Sequence, residues 1–257
     1  MSPLRHPKTN MAIDIPQELI DKLAQARRVA VLTGAGISAE SGIPTFRDAL
    51  TGLWANYDPQ TLATPEGFAR DPRLVWEWYA ARRARIADVR PNPGHAALAA
   101  LERRFEQFTL VTQNIDSLHQ RAGSHEVVEL HGNITRVKCS REEILVSQFA
   151  QDESPPRCPC GAYLRPDVVW FGEMLPADAL ARAEEAAEHC EVFLSIGTSA
   201  QVYPAAELPL RALSAGATVI EINPERTALT RHAHFSLRGA SGLVLPQLLD
   251  HLNAASA

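Results

Sequence analysis

With 257 residues, 46% of them hydrophobic, the chain is long enough for one large domain or for one domain carrying a smaller insertion. A net charge of −5 and a pI near 6.0 argue against a general nucleic-acid binder, and no apolar run approaches a membrane span. Four cysteines do not make a disulfide scaffold at this length, and residues 1–10 lack the apolar centre of a signal peptide, so a reducing, cytoplasmic setting is expected.

Residues 1–12 read as a flexible tail. A helical period over 17–27 leads into an apolar, β-branched run at 29–33, the first expected strand. That strand feeds Thr33-Gly34-Ala35-Gly36-Ile37-Ser38-Ala39-Glu40-Ser41-Gly42-Ile43-Pro44-Thr45-Phe46-Arg47, where Gly34, Gly36 and Ala39 satisfy the G-x-G-x-x-A form of the dinucleotide fingerprint. Residues 46–107 hold a Pro-containing loop and a long amphipathic stretch, Leu74 to Ala87, with no clear strand. Strands are expected at 108–112 and 126–130, ending in Gln113-Asn114-Ile115-Asp116 and in Glu129-Leu130-His131-Gly132. Residues 134–166 carry three of the four cysteines and the Ser154-Pro155-Pro156 turn. A helix at 177–189, a strand at 192–196, a helix at 205–215, a strand at 218–222 and a helix at 242–253 complete the alternation.

This order predicts an α/β fold, a Rossmann-like doubly wound parallel sheet with helices on both faces. The two stretches that break the alternation are expected to form a small second domain. Segments 13–45, 108–133 and 167–257 would make the dinucleotide-binding domain, with 46–107 and 134–166 making the small one. Ligands bind beyond the carboxyl ends of strands in such a sheet, so five motifs fall on one rim. His131 alone would read as structural; its place on that rim favours chemistry. Its reference pKa of about 6.5 leaves a neutral imidazole able to accept a proton.

Together with Val168-Val169-Trp170-Phe171-Gly172-Glu173, Ile196-Gly197-Thr198-Ser199 and Ile222-Asn223-Pro224-Glu225, these motifs resemble the sirtuins, NAD-dependent protein lysine deacylases. The resemblance keeps their order and runs from about residue 20 to 250. It is closest to the bacterial branch that includes the mitochondrial desuccinylase type. It implies NAD as a consumed co-substrate, with His131 as general base on a nicotinamide-ribose hydroxyl. The acyl-lysine carbonyl displaces nicotinamide, and the products are free lysine, nicotinamide and O-acyl-ADP-ribose. Catalysis would involve Asn114 beside His131, and Asn114 and Asp116 would position the ribose and the carboxamide, with Gln113 and Ile115 beside them. Further NAD contacts are implied for Gly34, Ala35, Gly36, Glu40, Thr45, Phe46, Arg47 and Trp54. On the far side they are implied for Gly197, Thr198, Ser199, Asn223, Pro224, Glu225 and Ala240.

Tyr79 and Arg82 stand three apart on an expected helix and share a face. Tyr-x-x-Arg matches the sirtuin branch that removes acidic acyl groups, where the guanidinium pairs with the distal carboxylate and the tyrosine adds a hydrogen bond. A small residue at Ala63 would leave room for the longer chain. Val169 and Phe171 would meet the substrate, because the Trp170-Phe171-Gly172 loop pairs with an extended peptide by strand addition. Succinyl, malonyl and acetyl removal is therefore expected. Sirtuins also bind structural zinc through two Cys pairs; here Glu142 stands where a second cysteine is expected, leaving Cys139, Cys158 and Cys160 as three ligands of a degenerate zinc-ribbon-like module. Cys190 reads as a buried structural residue. Expected partners are acylated proteins, with no nucleic acid and no membrane, and the chain is expected to be a monomer. An NAD hydrolase or ADP-ribosyltransferase is the alternative, ahead of a non-catalytic NAD-binding module.

Overall fold

The computed structural model describes residues 13–43, 62–150 and 152–255. Helix α1 (Gln17–Gln25) buries Leu19, Ile20 and Leu23 and leads into strand β1 (Arg28–Thr33), of which all but Arg28 is buried, and the four-residue helix α2 (Gly36–Ala39) follows. Strands β2 (Gln107–Thr112), β3 (Val127–Glu129), β6 (Val192–Ile196), β7 (Thr218–Ile222) and β8 (Phe235–Leu237) join β1 in a six-stranded sheet of order β3-β2-β1-β6-β7-β8. Every pairing in it is parallel. Strands covered on both faces must be apolar throughout rather than alternating, as Val29-Ala30-Val31-Leu32 is.

One face is covered by α1, α5 (Pro93–Glu102) and α9 (Ser241–Ala255), whose Leu98, Leu101, Val244 and Leu248 pack with Val31, Leu110 and Leu194. The other is covered by α7 (Ala177–His189) and α8 (Leu208–Ser214), through Ala183, Ala187, Leu208 and Ala212. The chain is thus doubly wound as the alternation predicted, and α8 is preceded by a short 3₁₀ turn, Ala205–Glu207. Among the described residues no helix is long and apolar enough to cross a membrane.

The rest of the fold is a satellite of the sheet. Helix α3 (Pro65–Arg70) starts where the Thr64 hydroxyl accepts the Gly67 N–H, and α4 (Pro72–Ala87) where the Asp71 carboxylate accepts the Leu74 N–H; both carry proline in their first turn. Strands β4 (Gly132–Cys139) and β5 (Leu164–Val168) pair antiparallel, with a register shift between Asn133 and Val137. Trp78 and Tyr79 of α4 pack with Ile134 and Val168 of this pair. Helix α5 lies within the stretch 46–107 expected to form the small domain. Its Ala97, Leu98 and Leu101 are nevertheless buried in the core of the large sheet, because the apolar side of Ala96-Ala97-Leu98-Ala99-Ala100-Leu101 is matched to α9. A short helix α6 (Leu118–Arg121) follows β2.

Candidate active site

The carboxyl ends of the parallel strands are tied to one another by backbone bonds. Gly34 N–H donates to the Ile196 carbonyl at 3.0 Å, Gly36 N–H to the Gly197 carbonyl at 2.8 Å, and Gln113 N–H to the Thr33 carbonyl at 3.0 Å. The loops after β1 and β6 touch so closely that a Cβ on Gly36 would lie 2.7 Å from Gly197 Cα. Gly197 itself has φ +60°, a left-handed conformation that glycine adopts without cost. The glycine-rich turn and the Gly197-Thr198-Ser199 turn therefore form one surface.

Below that surface runs a buried polar chain whose hydrogen-bond directions can be assigned. The Asn92 backbone N–H faces His95 Nδ1 at 3.4 Å, so Nδ1 accepts and Nε2 carries the proton. Nε2 lies 3.4 Å from Ser38 Oγ, which also accepts from Asn114 Nδ2 at 3.1 Å. Ser38 then donates to Asp116 Oδ2 at 2.7 Å, and the other Asp116 oxygen accepts the Leu118 N–H at 2.9 Å. Burial pushes Asp116 up and His95 down to about 4; His119, whose ring centroid is 4.9 Å from that of His95, is pushed down to about 3. Asn114 is held from both sides, since it also donates to the Gly34 carbonyl at 3.2 Å. Ser38, Asn92 and His95 were not singled out as site residues from sequence. Ser38 stands inside the glycine-rich run, but its partners lie more than fifty positions away.

His131 follows β3, its carbonyl accepting the Val169 N–H at 3.0 Å and its Nδ1 lying 2.9 Å from the Gln113 carbonyl. A carbonyl only accepts, so Nδ1 carries the proton and Nε2 of the neutral ring is a free base. Desolvation lowers the His131 pKa against the raising effect of the Gln113 carbonyl. Gln113 meanwhile donates its side-chain amide to Thr198 Oγ1 at 3.0 Å, linking the loops after β2 and β6.

On the far side, Asn223 donates to the Thr198 carbonyl at 3.0 Å and accepts the Glu225 N–H. Pro224 and Glu225 are exposed, and Ser199 is half-buried. The loop is pinned from beneath by Glu221, 1% exposed, which accepts from Arg238, Thr227, Thr230 and Ser236. Arg238 in turn holds the carbonyl of Glu225 at 2.7 Å. Ala240 precedes α9 and its carbonyl accepts the N–H groups of Leu243 and Val244, both at 3.0 Å. Glu40, expected to contact the cofactor, accepts the Gly242 N–H at 2.6 Å and so joins the glycine-rich turn to the start of α9. Thr45, Phe46, Arg47 and Trp54 lie outside the described residues.

Ala63, Tyr79, Val169 and Phe171 are brought together. The Ala63 carbonyl accepts the Phe171 N–H at 2.9 Å, and Val169 is bonded to His131 as above. Ala63 and Tyr79 are buried in one apolar cluster that Ile115 packs against. Arg82 is half-buried, its guanidinium 4.9 Å from the Trp78 ring centroid. Desolvation lowers its pKa.

Across the satellite, one ligand atom from each of Cys139, Glu142, Cys158 and Cys160 lies within 4.8 Å of the others. Cys139 Sγ is 3.5 Å from Cys160 Sγ and accepts the Glu142 N–H at 3.4 Å. Three thiols and a carboxylate are a suitable tetrahedral donor set for zinc. Cys190 stands apart and buried; its thiol faces the Ala187 carbonyl, and desolvation pushes it up to about 12.

Residues 34–204 match the Sir2 family. The NAD-dependent protein deacylase of Methylococcus capsulatus is 52% identical over 250 residues, covering 93% of this chain and 98% of that protein. A solved Sir2 homologue–NAD complex superposes with a TM-score of 0.89 at 46% identity, covering 95% of this chain and 96% of the other. A complex described as Sir2, p53 peptide and NAD+ gives 0.82 at 31% identity, covering 94% and 99%. A family match over residues 34–204 and a relative at this identity over nearly its full length lead to one statement: the chain belongs to the Sir2 family.

Proposed function

We propose that the chain is an NAD-dependent protein-lysine deacylase that removes acetyl groups and acidic acyl groups of the succinyl and malonyl type. The observation that carries this reading is His131: a neutral imidazole with a free Nε2, locked by the Gln113 carbonyl on the rim shared by the glycine-rich turn and Asn114. The residues present fit NAD, since the Thr198 hydroxyl and the side-chain amides of Gln113, Asn114 and Asn223 gather on the rim where the parallel strands end. When bound, NAD supplies the ribosyl carbon that receives the acyl oxygen as nicotinamide leaves. His131 Nε2 takes the proton of a ribose hydroxyl. Asn114, fixed by Gly34 and Ser38, orients the ribose, and Asp116, held by Ser38 and Leu118, directs the carboxamide. Thr198, Asn223, Glu225 and Ala240 hold the adenosine half.

The satellite supplies the acyl pocket, with Ala63, Tyr79 and Arg82 accommodating the longer acidic chain and Val169 and Phe171 meeting the peptide. Zinc at Cys139, Glu142, Cys158 and Cys160 would hold its two strands together. We place the enzyme in the cytoplasm as a monomer acting on acylated proteins. The test is incubation with NAD and one peptide bearing succinyl-lysine or acetyl-lysine, with mass spectrometry following free lysine and O-acyl-ADP-ribose. Turnover of both, abolished in His131→Ala, is expected; nicotinamide release without deacylation would overturn the assignment in favour of NAD hydrolysis.

A further inference from the structure

Tyr79 and Trp170 are 2% and 3% exposed, and a single hydrogen bond joins them: the Trp170 indole Nε1–H donates to Tyr79 Oη at 3.0 Å. An indole nitrogen only donates, so the direction of this bond is fixed. Burial raises the Tyr79 phenol above its ordinary range, so it keeps its own proton at neutral pH. With one lone pair taken by Trp170, that proton has no acceptor bonded to it among the described residues. One turn along the same helix, Arg82 Nε is buried without a hydrogen-bond partner among them. Two unsatisfied donors on one helix face call for an acceptor with two oxygens.

The Trp170 ring is held rigidly enough to aim its partner. The Arg165 guanidinium lies 3.3 Å from its centroid, Phe68 packs against it at 5.3 Å, and its backbone N–H is bonded to Glu173 Oε2 at 2.7 Å. Glu173 also receives Arg165 Nη2 at 2.9 Å. We propose that Trp170 is a specificity-positioning residue: its indole N–H occupies one side of the Tyr79 hydroxyl and so turns the phenol proton, with Arg82, towards the carboxylate at the end of an acidic acyl chain. This inference rests on the acidic-acyl reading given above. Trp170 acts through Tyr79 and need not touch the substrate.

The experiment compares kcat/KM for succinyl-lysine and acetyl-lysine peptides of one sequence, in the parent chain, Trp170→Phe, Tyr79→Phe and the double variant. Loss of the indole N–H should lower the succinyl-to-acetyl ratio about fivefold, chiefly through the succinyl KM. In the Tyr79→Phe background the same change should leave the ratio where Tyr79→Phe put it. An unchanged ratio in Trp170→Phe, or an equal drop with and without the Tyr79 hydroxyl, overturns the proposal. Should Trp170→Phe fail to fold, 3-benzothienylalanine at 170 keeps the shape and removes only the N–H. Arg82→Met separates the two levels: succinyl turnover surviving it sinks the acidic-acyl reading and this inference with it. Succinyl turnover lost in Arg82→Met but indifferent to Trp170 sinks this inference alone.

Discussion

Glu221→Ala is a demanding test of how the adenosine side is built. The Glu221 side chain is 2% exposed and its ion partner Arg238 is 32% exposed. Removing the carboxylate strands the guanidinium and unsatisfies three hydroxyl donors at once. Breaking a fully buried pair costs about 3–5 kcal/mol, and the water that reaches Arg238 reduces this to about 2–4 kcal/mol. At roughly 2–4 °C per kcal/mol for a domain of this size, the melting temperature should fall by about 4–16 °C. Function should change as well, because Arg238 Nη1 holds the Glu225 and Asn223 carbonyls at 2.7 and 3.4 Å. We expect the KM for NAD to rise about tenfold, equivalent to about 1.4 kcal/mol, while the KM for acyl-peptide stays put. Thermal melts and NAD titrations at saturating peptide would measure both. A melting temperature within about 2 °C of the parent, or an unchanged KM for NAD, would refute the argument.

Other consequences follow from the same geometry. His131→Ala should lower kcat/KM for acetyl and succinyl peptides alike by at least about 100-fold. Because desolvation depresses the His131 pKa, the acid limb of the parent's kcat/KM profile should fall below about pH 6.5, with the base fully available at neutral pH. His95 and His119 have folded pKa values of about 4 and 3, below the unfolded value of about 6.5, so the unfolded chain binds protons first as pH falls. Their contribution is intact above pH 6.5 and declines beneath it, by about 2 kcal/mol per histidine at pH 5; melts between pH 7.5 and 5 should show a slope that His119→Asn reduces. Glu142→Cys should tighten zinc binding and Glu142→Ala weaken it, read by metal content and by release to a chromophoric chelator; equal metal content in all three would remove Glu142 from the ligand set.

Much of the rim was legible because each strand of the large sheet is a short, uniformly apolar run that stops at a polar motif. The expected strands at 29–33, 192–196 and 218–222 agree with β1, β6 and β7 to within one residue. Strand β4 escaped notice because Asn133, Thr135, Arg136 and Lys138 interrupt its apolar positions and its register shifts partway. Its partner β5 is separated from it by 24 residues that include the cysteine loop, where no local pattern announces a pairing. Strand β8 has only three residues. The helix start at Asn92-Pro93-Gly94-His95 carries a readable cap, yet nothing local says that His95 faces Ser38, 57 positions earlier. Polar chains of this kind are properties of the tertiary fold: Ser38, Asn114 and Asp116 each sit in a recognisable motif, and only the fold joins them to one another and to His95.

The contact between the turns after β1 and β6 has a bearing on how this surface can be altered. Neither Gly36 nor Gly197 can gain a side chain without striking the other turn's backbone: an added Cβ would lie 2.7 Å from an atom across the gap in one case and 2.5 Å in the other. The two turns are therefore a single unit of inheritance, although more than 150 positions of chain separate them. Either turn grafted alone from a distant relative would arrive fitted to a neighbour it no longer has. Transplanted together, they would bring their mutual spacing with them, and the strands beneath need only keep β1 and β6 adjacent.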